Sequence, residues 1–326
     1  MLLADRRSIN FNDREVLKTP LLVPSFSSKG FPFPEVKNLI EYTEEFLTDT
    51  LLVSAYDVHY KNIPNTINFV PVVFLDSGGY ESGKEVEFSD LGVMPHSPAD
   101  WTPEMHRAVV DNWDTDSQTV LISYDHTSRR YPIEDQIIHA STLFKGRQVI
   151  RELLIKPETV DQKYIQIDSV INNIHKLAEF EVIGLTEKEL GKTVLDRMKN
   201  IAKVRMALQK VHLQIPIHIF GSLDTMTTPL YFLAGADIFD GLTWLRFAYH
   251  EGYTMYIHNY AIKELGTKLT EKTLKAHTVT RNIYALQELQ LGMSRYLNAR
   301  EFKEFPHHSD LFERLFQNLI AEIREA

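Results

Sequence analysis

Eight short apolar segments, distributed along the chain as far as residue 239, constrain its fold more than any other feature. Each segment is rich in Val, Ile, Leu or Phe and alternates little with polar residues, which is typical of strands buried on both faces of a sheet. Amphipathic stretches with helical periodicity separate most of these segments. The predicted strands are 21–24, 51–56, 70–75, 119–124, 152–156, 180–184, 216–220 and 236–239, and the predicted helices between them include 34–47, 103–113, 134–149, 161–178 and 194–211.

The alternation of buried strands and helices predicts an α/β fold, specifically a (β/α)₈ TIM barrel. A doubly wound open sheet is the rival architecture, but no Gly-x-Gly-x-x-Gly loop follows the first segment to support it. We predict a barrel domain over residues 1–252 and a C-terminal helical subdomain over 253–326, packed on the barrel. A polar segment at 82–101 is expected to form a long loop over the barrel mouth. The predicted C-terminal helices are 254–265, 270–297 and 309–324.

Composition narrows the classes of protein that the chain can belong to. With 326 residues, 44% of them hydrophobic, the chain can bury a full core. The absence of cysteine excludes disulfides, thiol nucleophiles and cysteine-ligated zinc. Neither a signal-peptide core nor a run of roughly 18 apolar residues occurs, so we expect a cytoplasmic protein without a membrane span. The net charge of -9 counts modestly against a large phosphate-binding surface.

Acidic and glycine-rich motifs follow several of the predicted strands. In a TIM barrel the active site is built at the C-terminal ends of the strands, so these motifs should meet at one rim. A single acid at a strand end is more often a helix cap or turn former, whereas three acids brought together indicate a substrate that donates hydrogen bonds. The motifs are Asp76-Ser77-Gly78-Gly79-Tyr80, Asp125, Gly184-Leu185, Phe220-Gly221 and Asp240.

These motifs resemble those of a known enzyme family, the tRNA-guanine transglycosylases. Residues 76–80 are similar to that family's Asp-Ser-Gly-Gly-Phe/Tyr signature, and residues 234–240, followed by Arg246, are similar to its Leu-Gly-x-Asp-x-Phe-Asp…Arg segment. Residues 19–24 resemble its Thr-Pro-x-x-x-Pro opening, and Trp101-Thr102-Pro103-Glu104 also has a counterpart. The resemblance covers about residues 15–285, with the motifs in the family's order.

The resemblance implies a base-exchange enzyme, a pentosyltransferase that replaces guanine in nucleic acid with a 7-deazaguanine. It implies that Asp240 is the nucleophile, which attacks the ribose anomeric carbon and holds a covalent glycosyl-enzyme. A carboxylate suits this role because an anion stabilises an oxocarbenium-like transition state. It further implies that Asp76 is the acid/base that protonates the leaving guanine and deprotonates the incoming base.

The resemblance also implies a purine pocket. Asp125 would accept hydrogen bonds from the N–H edge of the purine, and the backbone of Gly184 and Leu185 would bind its other edge. Tyr80 and Phe220 would sandwich the ring, each contributing about 1–3 kcal/mol by stacking. Without the resemblance, both rings are equally well explained as core aromatics. The other implied substrate-binding residues are Ser77, Gly78, Gly79, Gly221, Lys156 and Arg246, of which Arg246 would bind a flanking phosphate.

The chain departs from the family at several positions. Members of the family bind a structural zinc through three cysteines and a histidine, whereas this chain has only His277 near that point, so we predict no zinc and no other cofactor. Where the family has a glutamine after the fifth strand, this chain has Lys156-Pro157. Tyr249 stands where a second family arginine is common. These changes weaken the expectation of ordinary tRNA docking and leave the oligomeric state open.

Three functional hypotheses follow. The first is a base-exchange transglycosylase that acts on tRNA or DNA, with DNA modification or anti-phage defence as candidate roles. The second is a non-catalytic module of the same fold that binds a 7-deazaguanine base. The third, a glycosidase with convergent acids, does not explain why Gly78-Gly79 adjoins a stacking Tyr80.

Overall fold

The computed structural model describes residues 2–83, 96–126 and 128–325. Its centre is an eight-stranded parallel sheet in which each strand pairs with its neighbour around a barrel, in the order β3-β10-β9-β8-β7-β6-β5-β4. A bridge between Ser25 and Leu52 joins the first and last strands of this order. The strands are β1 (Ser8–Phe11), β2 (Arg14–Lys18), β3 (Leu21–Pro24), β4 (Thr50–Ser54), β5 (Val72–Asp76), β6 (Gln118–Ile122), β7 (Ile150–Ile155), β8 (Val182–Thr186), β9 (Ile217–Phe220), β10 (Ile238–Gly241), β11 (Ala248–His250) and β12 (Tyr253–Met255).

Helices cover the outside of the barrel and dominate the C-terminal region. Short 3₁₀ helices lie at Ile174–Glu179, Glu187–Glu189 and Phe302–Glu304, and a π turn lies at Ala261–Leu265. The α-helices are α1 (Glu35–Thr43), α2 (Ala55–His59), α3 (Gly79–Ser82), α4 (Pro103–Asp111), α5 (Ile133–Phe144), α6 (Ile167–Asn172), α7 (Val194–Lys210), α8 (Thr227–Leu233), α9 (Thr243–Arg246), α10 (Ile257–Tyr260), α11 (Glu271–Ala299) and α12 (Ser309–Glu325). Among the described residues, none of these helices has both the length and the apolar character needed to cross a bilayer.

The predicted fold class is confirmed. Each of the eight apolar segments overlaps one barrel strand, β3 to β10, and the inward-facing side chains of these strands form a closed apolar layer that includes Val72, Phe74, Val120 and Ile238. Apolar character alone identifies these strands, because helices cover one face of the sheet and the side chains of the barrel interior cover the other. Of the predicted loop at 82–101, residues 84–95 lie outside the described residues.

Some predicted elements were wrong. The single helix expected over 161–178 is instead the short α6 followed by a 3₁₀ helix, and the side chain of Asn173 donates to the Ser169 carbonyl at 3.1 Å where they meet. Such local side-chain bonds compete with a continuous helix. The helix expected from residue 254 begins instead as β12. Strand β12 pairs with β11 across a two-residue turn, Glu251-Gly252, in which both residues have positive φ.

The helical C-terminal region, also confirmed, is joined closely to the barrel. Helix α11 packs against β3 and β11, and the Gln290 side chain accepts a hydrogen bond from the Leu22 backbone at 3.1 Å. Asn282, fully buried, bonds to the backbone of Tyr249 at 2.7 Å and of Trp244 at 2.6 Å. Helix α12 packs on α7 and α8. These contacts join α11 and α12 to the barrel, and the predicted domain division after residue 252 stays a prediction.

A buried ion cluster stabilises the end of the barrel opposite the strand C-termini. Asp237, which belongs to one of the motifs above, is 1% exposed and bonds to Arg7 at 2.7 Å and to the Ile217 backbone at 2.8 Å. It also bonds to Arg205, whose side chain is fully buried. Asp237 therefore has a structural role that differs from that of Asp240 three residues later.

Removing the charge of Asp237 should destabilise the protein strongly. We expect Asp237→Asn to lower the free energy of unfolding by about 3–5 kcal/mol, because two arginines would be left buried with an uncompensated charge. Urea denaturation followed by circular dichroism measures this change. The matched control, Glu322→Gln, breaks an exposed pair with Lys199 and should have little effect. Equal losses for both variants would contradict this account of the cluster.

Candidate active site

The C-terminal ends of the barrel strands open into a cleft of about 820 Å³. All three carboxylates predicted from the sequence line it, although they come from β5, β10 and the loop after β6. The topology thus brings together side chains that are far apart in the chain. Ten of the thirteen predicted site residues line the cleft, namely Asp76, Ser77, Gly79, Tyr80, Asp125, Lys156, Phe220, Gly221, Asp240 and Arg246.

Three predicted site residues do not line the cleft. Gly78 has a φ of 86° and precedes α3, where a Cβ would lie only 2.6 Å from the Cβ of Tyr56, so it is needed for the turn. Leu185 is fully buried in the hydrophobic core. Gly184 is covered by Phe220, whose ring would lie 2.4 Å from a Cβ at this position. The predicted contact between the purine and the backbone of Gly184 and Leu185 stays a prediction.

Asp76 ends β5 and combines burial with nearby negative charge. Its Oδ2 accepts a hydrogen bond from the Gly78 backbone at 3.0 Å. Burial raises the pKa of Asp76 to about 6; the bond from Gly78 opposes this shift, and the charges of Asp240 and Asp125 add to it. Near neutral pH this carboxyl can therefore both donate and accept a proton, as general acid–base catalysis requires.

Asp240, on β10, is 6% exposed and held in one orientation. Its Oδ2 accepts a hydrogen bond from the Ser25 hydroxyl at 2.8 Å, and its Oδ1 accepts one from the Gly221 backbone at 3.1 Å. Gly221 has a φ of 80°, in the left-handed region that favours glycine. The turn after β9 thus directs a backbone donor at the carboxylate.

A buried histidine and a buried glutamate lie beneath Asp240, and neither was predicted from the sequence. His218 Nε2 lies 3.3 Å from Asp240 Oδ1, and its Nδ1 lies 2.7 Å from Glu152 Oε1. Both side chains are fully buried. Burial alone disfavours the charged imidazole, but Glu152 and Asp240 outweigh this and raise the pKa of His218 to about 9. Both are ionisable residues within predicted apolar strands, and this feature could have indicated them.

Asp125 belongs to an ion quartet, formed with Arg130, Lys156 and Glu189. Arg130 Nη1 lies 3.0 Å from Asp125 Oδ1, and Lys156 Nζ lies 3.3 Å from Oδ2 and 2.7 Å from Glu189 Oε2. Burial by itself would raise the pKa of Asp125, but Lys156 and Arg130 reverse this and hold it below its usual value. Arg130 and Glu189, which also line the cleft, were not predicted.

Glu81 is a further acid in the lining, 3% exposed. It accepts a hydrogen bond from the Ser27 hydroxyl. Burial raises its pKa to about 8, and the neighbouring carboxyls of Asp57 and Asp76 contribute in the same direction. At neutral pH Glu81 is therefore mostly protonated, which reduces the negative charge that the cleft must accommodate.

Tyr80 and Phe220 provide aromatic surface in the cleft. Tyr80 is partly exposed, its hydroxyl accepts a bond from Arg246 at 2.9 Å, and Lys29 Nζ lies 4.2 Å from its ring centroid. Phe220 stacks on His218, with ring centroids 4.0 Å apart and an interplanar angle of 28°. Both rings border the cleft, and Phe220 also packs against the apolar layer of the barrel.

Within residues 2–83, 96–126 and 128–325, no group of three or more histidines and acids has the arrangement of a metal site. His277, which stands near the family's zinc histidine, instead contacts Tyr260, with its Nδ1 3.4 Å from the hydroxyl.

No protein-family model matches the chain, and a search of curated proteins gives no match either. The motifs and the geometry of the cleft are therefore the basis for assigning a function.

The carboxyl groups in the cleft should titrate as a coupled set. We expect carboxyl ¹³C NMR to show Asp76 titrating near pH 6 in the intact protein. In Asp240→Asn its pKa should fall, because removal of a neighbouring negative charge makes ionisation easier. Asp135→Asn, an exposed change on α5, should leave it unchanged. An Asp76 pKa near 4 in all three proteins would contradict the proposed convergence.

Proposed function

We propose that the protein is a transglycosylase that exchanges guanine in a polynucleotide for another guanine or a 7-deazaguanine. One arrangement carries the proposal. A fixed carboxylate, Asp240, and a carboxyl whose pKa is raised to about 6, Asp76, line the same cleft. Two aromatic rings and the carboxylate of Asp125 line it with them. A nucleophile and a separate acid/base are what a double displacement at an anomeric carbon requires.

In the first proposed step, a carboxylate oxygen of Asp240 bonds to C1′ of the ribose while the bond between C1′ and the guanine nitrogen breaks. The electron pair of that bond goes to the base, and the base takes the proton of Asp76. In the second step, the incoming base gives its proton to Asp76 and its nitrogen displaces Asp240 from C1′. Atoms and charges balance without an external energy source.

Aromatic and acidic groups in the cleft support a purine as the exchanged base. Tyr80 and Phe220 offer stacking surface, and Asp125 offers carboxylate oxygens to purine N–H groups. Because Arg130 and Lys156 already contact Asp125, a purine N–H edge would join an existing ion network. The same rings and carboxylate also fit a second function, in which the cleft binds a 7-deazaguanine base without transferring it.

The charges in the cleft support a polynucleotide partner despite the net charge of -9. The described part of the lining contains six basic residues, Lys29, Arg130, Lys156, Lys163, Lys188 and Arg246, and six acidic residues, Asp76, Glu81, Asp125, Asp161, Glu189 and Asp240. Among these residues, protonation of Glu81 and partial protonation of Asp76 leave the basic residues in excess at neutral pH. Local positive charge favours phosphate contacts. Both tRNA and DNA remain candidate acceptors, and a cytoplasmic location and an anti-phage role belong to this proposal.

Incorporation of labelled base is the direct test of exchange. We expect wild-type protein to transfer radiolabelled guanine or a labelled 7-deazaguanine into tRNA or DNA, and Asp240→Asn to lose at least about a thousandfold in rate, because no covalent intermediate can form. Asp135→Asn, on the exposed surface of α5, should retain full activity. If neither polymer takes up label from wild-type protein, while calorimetry shows that the free base binds, the binding module replaces the enzyme.

Binding of the free base tests the predicted role of Asp125. We expect Asp125→Asn to raise the Kd for guanine by about ten- to a hundredfold, because a charged acceptor of purine N–H groups is replaced by an amide. Isothermal titration calorimetry measures the change. Asp168→Asn, at an exposed position of α6, is the control and should bind as the wild type does. Unchanged affinity in Asp125→Asn would place the base elsewhere.

A further inference from the structure

A line of three ionisable side chains crosses the barrel interior beneath the cleft. Glu152 comes from β7, His218 from β9 and Asp240 from β10. The histidine lies between the two acids, 2.7 Å from Glu152 Oε1 and 3.3 Å from Asp240 Oδ1. Two aromatic rings also pack on the imidazole, Phe74 in an edge contact and Phe220 in a stack.

Burial of these groups is costly, so a purely structural explanation is weak. Glu152 and His218 are both 0% exposed, and the second oxygen of Glu152 has no hydrogen-bond partner among the described residues. Apolar side chains of similar volume at such positions generally stabilise a protein as well or better. Their inward-facing neighbours in the same strands, Ile150 and Leu154 in β7 and Phe220 in β9, are apolar. A role beyond packing is therefore indicated.

We propose that His218, held by Glu152, is a positioning residue that keeps a positive charge against Oδ1 of Asp240 and supports the Phe220 ring above it. This inference rests on the proposed base exchange. The contacts also distinguish the two oxygens of Asp240. Oδ1 receives the Gly221 N–H and faces His218, whereas Oδ2 receives the hydroxyl of Ser25.

The geometry gives the two carboxylate oxygens of Asp240 different roles in the proposed reaction. Oδ2 bonds to C1′ as the bond from C1′ to the base breaks, and Oδ1 becomes the carbonyl oxygen of the glycosyl ester. When the incoming base displaces Asp240, the electron pair of the ester bond returns to the carboxylate. The imidazolium stabilises the negative charge that reappears there, so it makes Asp240 a better leaving group. His218 therefore acts mainly on the breakdown of the covalent intermediate.

Replacing the histidine tests this role. We expect His218→Gln to slow base exchange by about ten- to a hundredfold, the effect of losing an interaction with a charged group. The fraction of protein trapped covalently on the polynucleotide, seen on denaturing gels, should rise or stay constant because breakdown slows more than formation. A fall in trapped fraction that parallels the fall in exchange would overturn the proposal, since a disturbed fold affects both steps equally.

A conservative change to the partner acid provides a second readout. Glu152→Gln keeps the side-chain shape but removes a charge that holds the proton on His218. The wild-type exchange rate should decline above about pH 6, where Asp76 loses its proton, and decline a second time as pH rises through about 9, where His218 loses its proton. The second decline should move to lower pH in Glu152→Gln. A second decline at the same pH in both proteins would overturn the role of His218, even if Glu152→Gln is less stable.

The charge state of His218 can be measured without any activity. ¹⁵N NMR of the resting wild-type protein should show both ring nitrogens protonated at pH 7, and a neutral ring would overturn this inference while leaving base exchange intact. Conversely, wild-type protein that neither exchanges base nor forms a covalent complex would overturn the proposed function. The two failures are therefore distinguishable.

Discussion

Concentration of acidic groups at one end of a barrel is the physical constraint on which the rest of the site depends. Carboxylates brought together in a poorly solvated cleft repel one another and lose hydration. The protein accommodates these acids in three different ways. Asp76 and Glu81 are stabilised by protonation, Asp125 by the cations of its ion quartet, and Asp240 by hydrogen bonds and a buried imidazolium. These differences are the basis of the chemical roles that we propose for the acids.

The fold explains why this arrangement can be held rigidly. Parallel pairing fixes the height of each strand, so Asp76, Phe220 and Asp240 reach the same rim from β5, β9 and β10. Left-handed glycines at the strand ends turn the backbone sharply and direct N–H groups at the carboxylates. The Asp237 ion cluster stabilises the opposite end of the barrel.

The barrel and much of its mouth could be predicted from sequence because both depend on local patterns. Buried parallel strands are apolar throughout, and the acids that follow them lie at positions the fold sends to one rim. Other features depend on contacts between distant residues. The stacking of Phe220 over Gly184, the pairing of Asp125 with Arg130, and the approach of Glu152 to His218 join residues with no sequence signal between them. The two hairpins were missed because their Asn-Asp and Glu-Gly turns are weaker signals than Asn-Gly.

The proposed exchange requires a purine to bind in this cleft with its edge toward the acids. A crystal structure of the protein soaked with guanine tests it most directly. We predict density for a flat base against Tyr80 and Phe220, with its N–H edge within hydrogen-bond distance of Asp125 and its five-membered ring facing Asp76 and Asp240. Guanine bound outside the cleft, or a cleft that closes around its own side chains and admits no base, would contradict the account.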